Sequence, residues 1–368
     1  MSSGNAAPAR DEDGPCTRGA RASRSPVGAF PEGWYFVATL ATLRKRRLIE
    51  KVWLGQDIVA WCDDEGAVCV AEAYCAHLGS HLGPSVGGSV RRGCLVCPFH
   101  GFEYDITGQC VATPGAAAPT NARLRVFETQ EVAGMLFAWW SPVVRPARWR
   151  LPELGQEGWG SVGFRPFRLR SHPEYTAENA VDVNHLSHLH HYHETRQVGR
   201  VEVDGAHLRS AFEFKRSRRI AGLWKVETSV SAVVNLYGLG YSFVNIHERS
   251  IDVHARFWVL GTPVDDTWME ILLACQLRRL SRPKRAIVGL RFLPVGLRTH
   301  LFTEFLLNGQ AADVRQDLPI WSNRRYTPRP ILNRLDGEIM VFRRYCRQFY
   351  PGEPATPAED RPARAVGT

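Results

Sequence analysis

The sequence predicts an α+β fold in which a small antiparallel β unit precedes a larger part ordered helix, sheet, helix. Three observations predict it. Short alternating apolar stretches separated by Gly- and Asp-containing turns occupy residues 33–70, and longer ones run from 227 to 277. Apolar residues recur at helical spacing in 173–191 and again in 337–350.

Taken in order, residues 1–30 are rich in Ala, Arg, Ser, Gly and Pro. They lack an apolar stretch of signal-peptide type and carry Asp11, Glu12 and Asp13, so they read as a disordered tail. The stretches WYFVATL, LIEKVWL, DIVAWC and AVCVAEA follow as strands, with turn signals at Gly55-Gln56-Asp57 and at Asp63 to Gly66. Residues 75–110 are Gly-rich and loop-like, and LRVFETQEVAGMLFAWW at 124–140 resumes strand character. Pro142 and Pro146 break it, which places a domain boundary near 145–155 and divides the chain into 31–148 and 149–352. In the second part, Pro173 and Glu174 open a helix with Val181, Leu186 and Leu189 on its apolar side. ETSVSAVVNLY, YSFVNIH, VHARFWVL and WMEILLACQL are the expected strands, and GEIMVFRRYCRQFY at 337–350 the amphipathic terminal helix. Residues 353–368 read as a second disordered tail.

With 368 residues, 44% hydrophobic and 23% charged, the chain has ordinary globular composition. Its net charge of +9 would suit an acidic partner, yet no nucleic-acid-binding module accompanies it, and none is expected to bind. Runs such as GMLFAWW at 134–140 and AIVGL at 286–290 fall far short of the roughly 20 apolar residues of a membrane span. Six of the nine cysteines lie between Cys62 and Cys110, which points to a local metal site in a reducing, cytoplasmic setting. No glycine-rich dinucleotide or phosphate loop is present, so electrons do not come from a nicotinamide or flavin domain of this chain's own.

The loop region contains two short pairs, Cys75-Ala-His77 and Cys97-Pro-Phe-His100, with nineteen residues between His77 and Cys97. Two thiolates and two imidazoles suit tetrahedral zinc. They equally suit a two-iron, two-sulfur cluster with the cysteines on one iron and the histidines on the other. The wording CAHLG…CPFHGFEYDITGQC closely resembles Rieske iron–sulfur domains, which implies a 2Fe-2S cluster on Cys75, His77, Cys97 and His100. The spacer is longer than most such domains carry, implying a loop insertion around Gly87-Gly88. The membrane-anchored respiratory branch carries an extra cysteine in each cluster loop; Ser80 and Phe99 stand there in this chain. Cys94, His81 and Cys110 read as packing residues.

Residues 182–193, DVNHLSHLHHYH, place five histidines within nine positions. ENAVDVNHLSHLH resembles the mononuclear-iron motif of Rieske non-haem iron oxygenases, which implies His185 and His190 as ligands of Fe(II). The resemblance extends to QDLPIW at 316–321 and implies Asp317 as the third ligand, with Asp313 the competitor. Two imidazoles and a carboxylate on one face leave positions open for oxygen. On an ideal α-helix, residues five apart point about 140° from each other. The helix must therefore bend or end between His185 and His190; were it regular, His188 would be the alternative. Asp182 lies at i and i+3 with His185, on the same face. The resemblance gives it the role of electron bridge, hydrogen-bonded to the iron-ligand histidine and to a cluster histidine of the neighbouring subunit. His188, His191 and His193 read as packing or surface residues, and Asn179 as a helix-face amide.

The resemblance spans roughly Pro31 to Pro351. It is nearest to the oxygenase components of 3-ketosteroid 9α-hydroxylase and the related cholesterol 7-desaturases. It implies a small all-β Rieske domain followed by a helix-grip-type catalytic domain with a curved antiparallel sheet and flanking helices. It further implies a homotrimer and a separate ferredoxin or flavin reductase, with NAD(P)H acting only through that partner. O2 would be the co-substrate for hydroxylation or desaturation of a bulky hydrophobic, steroid-like molecule of lipid metabolism. The alternatives are an aromatic-ring hydroxylase or demethylase of the same family, a Rieske-type electron carrier without oxygenase activity, and a zinc-stabilised binding protein.

Overall fold

The computed structural model describes residues 30–220, 224–281, 292–334 and 336–350. The two expected tails, apart from residue 30, and the AIVGL run lie outside these residues. The first part is built from three small antiparallel sheets. Strand Gly33–Thr39 pairs with Met135–Trp140, which pairs in turn with Thr129–Val132, so the beginning and end of this part close against each other. Leu48–Trp53, Gln56–Cys62 and Val68–Glu72 form the second sheet. Its first hairpin turns on Leu54 and Gly55, both at positive φ (48° and 75°), the two-residue turn whose twist matches the strands.

Two features of this part depart from the sequence reading. A short helix, α1 (Leu40–Arg46), follows the first strand; the Thr39 hydroxyl caps it by accepting the Thr42 N–H, and Leu40 and Leu43 are its buried face. The loop-like region 75–110 contains strands Ser89–Arg91, Cys94–Val96, Glu103–Tyr104 and the start of Cys110–Ala112, joined as a third sheet. Strands of two or three residues are too short for alternation to show in sequence.

The second part is organised by one eight-stranded antiparallel sheet. From one edge its strands are Trp159–Arg170, Trp268–Arg278, Val253–Pro263, Ser242–Glu248, Trp224–Tyr237, His207–Ile220 and His193–Gln197, with Glu202–Asp204 also paired to His207–Ile220. The four stretches expected between 227 and 277 are its consecutive central strands. The others were not anticipated. His207–Ile220 buries Leu208, Ser210, Phe212, Phe214 and Arg216 on one side, so polar side chains occupy inner as well as outer positions and blur the period of two.

Helix α4 (Val295–Asn323) packs against strands Trp159–Arg170 and Trp268–Arg278. It buries Phe302, Leu306, Leu307, Val314 and Trp321, each contributing about 1.5–3 kcal/mol by removal of apolar surface from water. Helix α5 (Ile339–Arg347) buries Ile339, Phe342, Tyr345 and Cys346, as the terminal periodicity implied. The two parts are joined by specific contacts. Glu32 N–H donates to the Phe349 carbonyl at 2.7 Å, and Trp34 donates its indole N–H to the Trp149 carbonyl at 2.8 Å. Gly240 allows close approach, since a Cβ there would lie 2.4 Å from the Trp34 carbonyl oxygen.

Candidate metal centres

The two Cys/His loops adopt the same turn. Gly79 N–H donates to the Cys75 carbonyl at 2.9 Å, and Gly101 N–H to the Cys97 carbonyl at 3.0 Å. Cys75 N–H donates to Ser80 O and Cys97 N–H to Phe102 O, both at 2.9 Å. Each turn passes through a glycine at positive φ, 70° at Gly79 and 69° at Gly101, a conformation costly for residues with a Cβ. The loops face each other: the His77 and His100 ring centroids are 4.8 Å apart, and His77 stacks on Phe102 at 4.4 Å. Cys75 and Cys97 are buried and both histidines exposed. The Tyr104 hydroxyl lies 3.0 Å from Cys75 Sγ and accepts the Ala76 N–H at 3.2 Å. Burial is the main influence raising the Cys75 thiol pKa, with the Tyr104 bond opposing it and the adjacent Cys97 thiol adding to it. Two buried sulfurs side by side and two exposed imidazoles on a parallel loop suit a cluster whose histidine iron faces outward.

Cys94, His81 and Cys110 have ordinary local roles. His81 Nδ1 accepts the Gly83 N–H at 3.1 Å, and Cys110 is buried with its thiol 3.6 Å from the Ala112 carbonyl. Cys94 is half-buried on its short strand.

The histidine knot is not one helix. Helix α2 (Pro173–Ala177) passes into a 3-10 turn at Glu178–Ala180, and α3 (Asn184–His188) starts after a break. The continuous helix expected over 173–191 is therefore corrected to two short helices. Asp182 makes the restart: its Oδ1 accepts the backbone N–H groups of Asn184 at 3.0 Å and His185 at 3.2 Å, a helix-capping arrangement. At the other end, His190 N–H reaches the His185 carbonyl at 3.3 Å, an i to i−5 bond, and His191 takes φ 55°. The widened last turn carries His190 back to the face of His185. The helix does end between them, as their spacing required.

The donor atoms of His185, His190 and Asp317 all lie within 4.8 Å of one another. The imidazole rings are 5.3 Å apart, nearly perpendicular, and His190 Nε2 is 3.5 Å from Asp317 Oδ2. Asp317 is buried near the end of α4, one turn beyond Asp313. Asn179 donates to Asp317 Oδ1 at 3.4 Å, so this amide supports the carboxylate directly and is not a mere helix-face group. Asp313 is engaged by the Tyr192 hydroxyl at 2.7 Å, while His188, His191 and His193 are exposed. His185 Nδ1 meets the backbone carbonyl of Asp182 at 2.5 Å, which fixes that nitrogen as the protonated one and leaves Nε2 free to ligate. The Asp182 carboxylate is farther off, at 4.0 Å. The hydrogen bond expected from its side chain is thus made by its main chain, because the carboxylate caps α3.

The donor set fits a divalent iron. His190 Nδ1 is buried without a hydrogen-bond partner among the described residues, and burial lowers the pKa of His185, favouring the neutral ligand form. At His190 burial acts in the same direction and is the largest single influence, but the Asp317 carboxylate, with Asp313 and Gln316 adding to it, raises the pKa overall. Among the described residues one other group has ligand spacing, the partly exposed His247, Asp252 and His254 on the hairpin between two sheet strands.

All three donors open on a cavity between the helices and the inner face of the large sheet, continuous with solvent at its mouth. Its walls are mainly apolar, with Phe212, Phe214, Val234, Ile246, Phe257 and Trp321 among them. Beneath α2, buried Glu174 and Glu178 meet Arg343, which lies 3.4 Å from the first and 2.6 Å from the second; Arg324 also pairs with Glu178. Tyr350 donates to Glu174 at 3.1 Å. None of this anchoring network was read from the sequence, since charged residues more than a hundred positions apart carry no local signal of pairing.

Profile comparisons match residues 33–128 to the Rieske [2Fe-2S] domain and residues 138–350 to the 3-ketosteroid 9α-hydroxylase C-terminal domain. The chain belongs to the 3-ketosteroid 9α-hydroxylase family of Rieske oxygenases. This oxygenase is 27% identical over 348 residues to cholesterol 7-desaturase nvd 1 of Ciona intestinalis, covering 87% of this chain and 69% of that one. It is 23% identical over 338 residues to the oxygenase component of 3-ketosteroid-9-alpha-monooxygenase of Rhodococcus rhodochrous, covering 87% and 83%. Its fold is shared by dicamba monooxygenase bound to dicamba, at TM-score 0.59 and 15% identity, covering 86% and 96%. It is shared too by the Pseudomonas putida CBB5 NdmA QL mutant with caffeine, at TM-score 0.61 and 15% identity, covering 87% and 90%. The oxygenase is an oxidoreductase with an iron–sulfur domain ahead of its catalytic domain, so neither a bare electron carrier nor a zinc-stabilised binding protein describes it. No helix among the described residues is long and apolar enough to cross a membrane.

Proposed function

We propose that the oxygenase uses O2 to hydroxylate or desaturate a bulky hydrophobic, steroid-like substrate, with Cys75, His77, Cys97 and His100 holding the cluster and His185, His190 and Asp317 holding Fe(II). The observation that carries this reading is the convergence of the three iron donors on the wall of a mainly apolar cavity. The names of the curated relatives, cholesterol 7-desaturase and 3-ketosteroid-9-alpha-monooxygenase, support the substrate class. The domain limits are 31–148 and 149–352. The assembly is a cytoplasmic homotrimer serving steroid and lipid metabolism, fed by a separate ferredoxin or flavin reductase through which NAD(P)H acts.

When bound, the iron supplies activation of O2 beside the substrate. The chain's own groups do the rest. Asn179 and the Asp182 carbonyl hold Asp317 and His185 in ligating orientation, which narrows the geometry the metal site must find. The apolar walls exclude water and align one carbon with the site; sub-ångström placement then selects hydroxylation or desaturation. The partly exposed Asp182 carboxylate would accept a hydrogen bond from a cluster histidine of the neighbouring subunit and would so link the two iron sites across the boundary. Incubation of the purified oxygenase with a reductase, NADH and a panel of steroids and aromatic compounds tests the proposal. An oxygenated or desaturated steroid is expected; turnover confined to the aromatic compounds rejects the substrate class.

A further inference from the structure

Two charged groups that the metal sites do not use line the cavity, Arg216 and Asp313, and Asp313 is engaged by the Tyr192 hydroxyl. Strand His207–Ile220 points alternate residues inward, so Arg216 follows Phe212 and Phe214 along the cavity wall. It is 5% exposed, and its guanidinium pairs with the equally buried Glu248 of strand Ser242–Glu248. Glu248 is further held by the Thr228 hydroxyl at 3.4 Å. The Arg216 Nε–H has no hydrogen-bond partner among the described residues. A buried donor left unpaired is costly, and the cost is recovered when a ligand oxygen accepts it.

We propose that Arg216 is the polar anchor of the substrate cavity and takes a neutral oxygen acceptor, a ketone or hydroxyl, carried by an otherwise apolar substrate. The choice of a neutral acceptor follows from charge. Glu248 already balances the guanidinium, and the Asp313 carboxylate lies close enough to act on it, so an added carboxylate would leave the cavity with excess negative charge. Arg216 stands on the sheet wall, whereas His185, His190 and Asp317 stand on the helical wall. A rigid substrate fixed by its oxygen at Arg216 presents a defined carbon to the metal site, so the anchor sets which position reacts. This inference rests on the steroid-like reading and sharpens it to oxygen-bearing members of the class.

Equilibrium dialysis of the holoenzyme with a 3-ketosteroid, its 3-hydroxy analogue, its 3-deoxy analogue and a steroid carboxylate tests the anchor. The ketone and hydroxyl forms are expected to bind roughly tenfold or more tighter than the deoxy form and the carboxylate, as one charge-assisted hydrogen bond provides. In the paired variant R216M/E248L, which exchanges a buried ion pair for apolar side chains and so leaves no orphaned charge, the ketone preference is expected to fall to about onefold with iron content unchanged. Equal wild-type affinity for the ketone and deoxy forms, tighter binding of the carboxylate, or a preference that survives in the variant overturns the anchor while leaving the steroid reading intact. Binding of none of the four steroids would overturn the steroid reading and the anchor with it. The wild-type comparison decides the matter even if the variant fails to fold.

Discussion

His185 and His190 are five residues apart, yet their rings stand 5.3 Å from each other because the turn joining them closes through an i to i−5 hydrogen bond. A regular helix would have turned one ring away from the other. The interruption before His185 and the wide turn after it therefore shape the proposed metal site, and the capping carboxylate of Asp182 is what restarts the helix between them.

Asp182 caps α3 and is proposed to carry electrons, two roles that a single substitution separates. Asn caps helices about as well as Asp, so Asp182→Asn retains the Oδ1 cap while removing the charge. The variant is expected to keep its cluster colour and iron content and to lose most turnover with the reductase. Steady-state product formation checks this, and turnover equal to wild type would reject Asp182 as an electron route.

Tyr104 places its hydroxyl 3.0 Å from Cys75 Sγ. Hydrogen bonds to cluster sulfurs stabilise the reduced, more negative state. Tyr104→Phe is expected to lower the cluster midpoint potential by roughly 40 mV, the one-electron equivalent of about 1 kcal/mol. Redox titration followed by electron paramagnetic resonance measures it; an unmoved or raised potential contradicts the assignment.

Arg343 is 8% exposed and lies between buried Glu174 and Glu178. Arg343→Met would leave buried Glu174 with only the Tyr350 hydroxyl and Glu178 with only Arg324, and is expected to cost about 3 kcal/mol of stability. Urea denaturation reads this directly. A loss below about 1 kcal/mol would mean that the network does not anchor α2.

His172 caps α2 through Nδ1, stacks near Tyr350, and burial pushes its pKa down to about 3. Its folded value lies below the ordinary one near 6.5, so the unfolded chain binds the extra proton. Its contribution is present above pH 6.5 and is lost as the pH falls toward 3, at a rate of at most about 1.4 kcal/mol per pH unit. His172→Phe is expected to flatten the fall in stability between pH 7 and 5. An identical slope in both proteins would show that His172 is not the group responsible.

Local signals made much of this molecule legible. Alternation marked the central strands from 227 to 277, and the Cys/His spacing and the wording around it marked the cluster loops. The spacing of His185 and His190 even required the break that the structure contains. What stayed hidden depends on distant pairing. The Arg343 network joins residues 174, 178, 324 and 343, and Arg216 meets Glu248 across an intervening strand. The role of the Asp182 main chain was likewise unreadable, since a sequence shows side chains and not which carbonyl a ring nitrogen will meet.

The most direct test of the account is iron and acid-labile sulfide analysis of the wild type beside His190→Ala, with the reduced cluster followed by electron paramagnetic resonance. The wild type is expected to hold the two cluster irons and about one more per chain, and the variant to lose about one iron while its cluster signal is unchanged. A variant that retains the third iron, or a wild type that never contains it, would contradict the assignment of the mononuclear site.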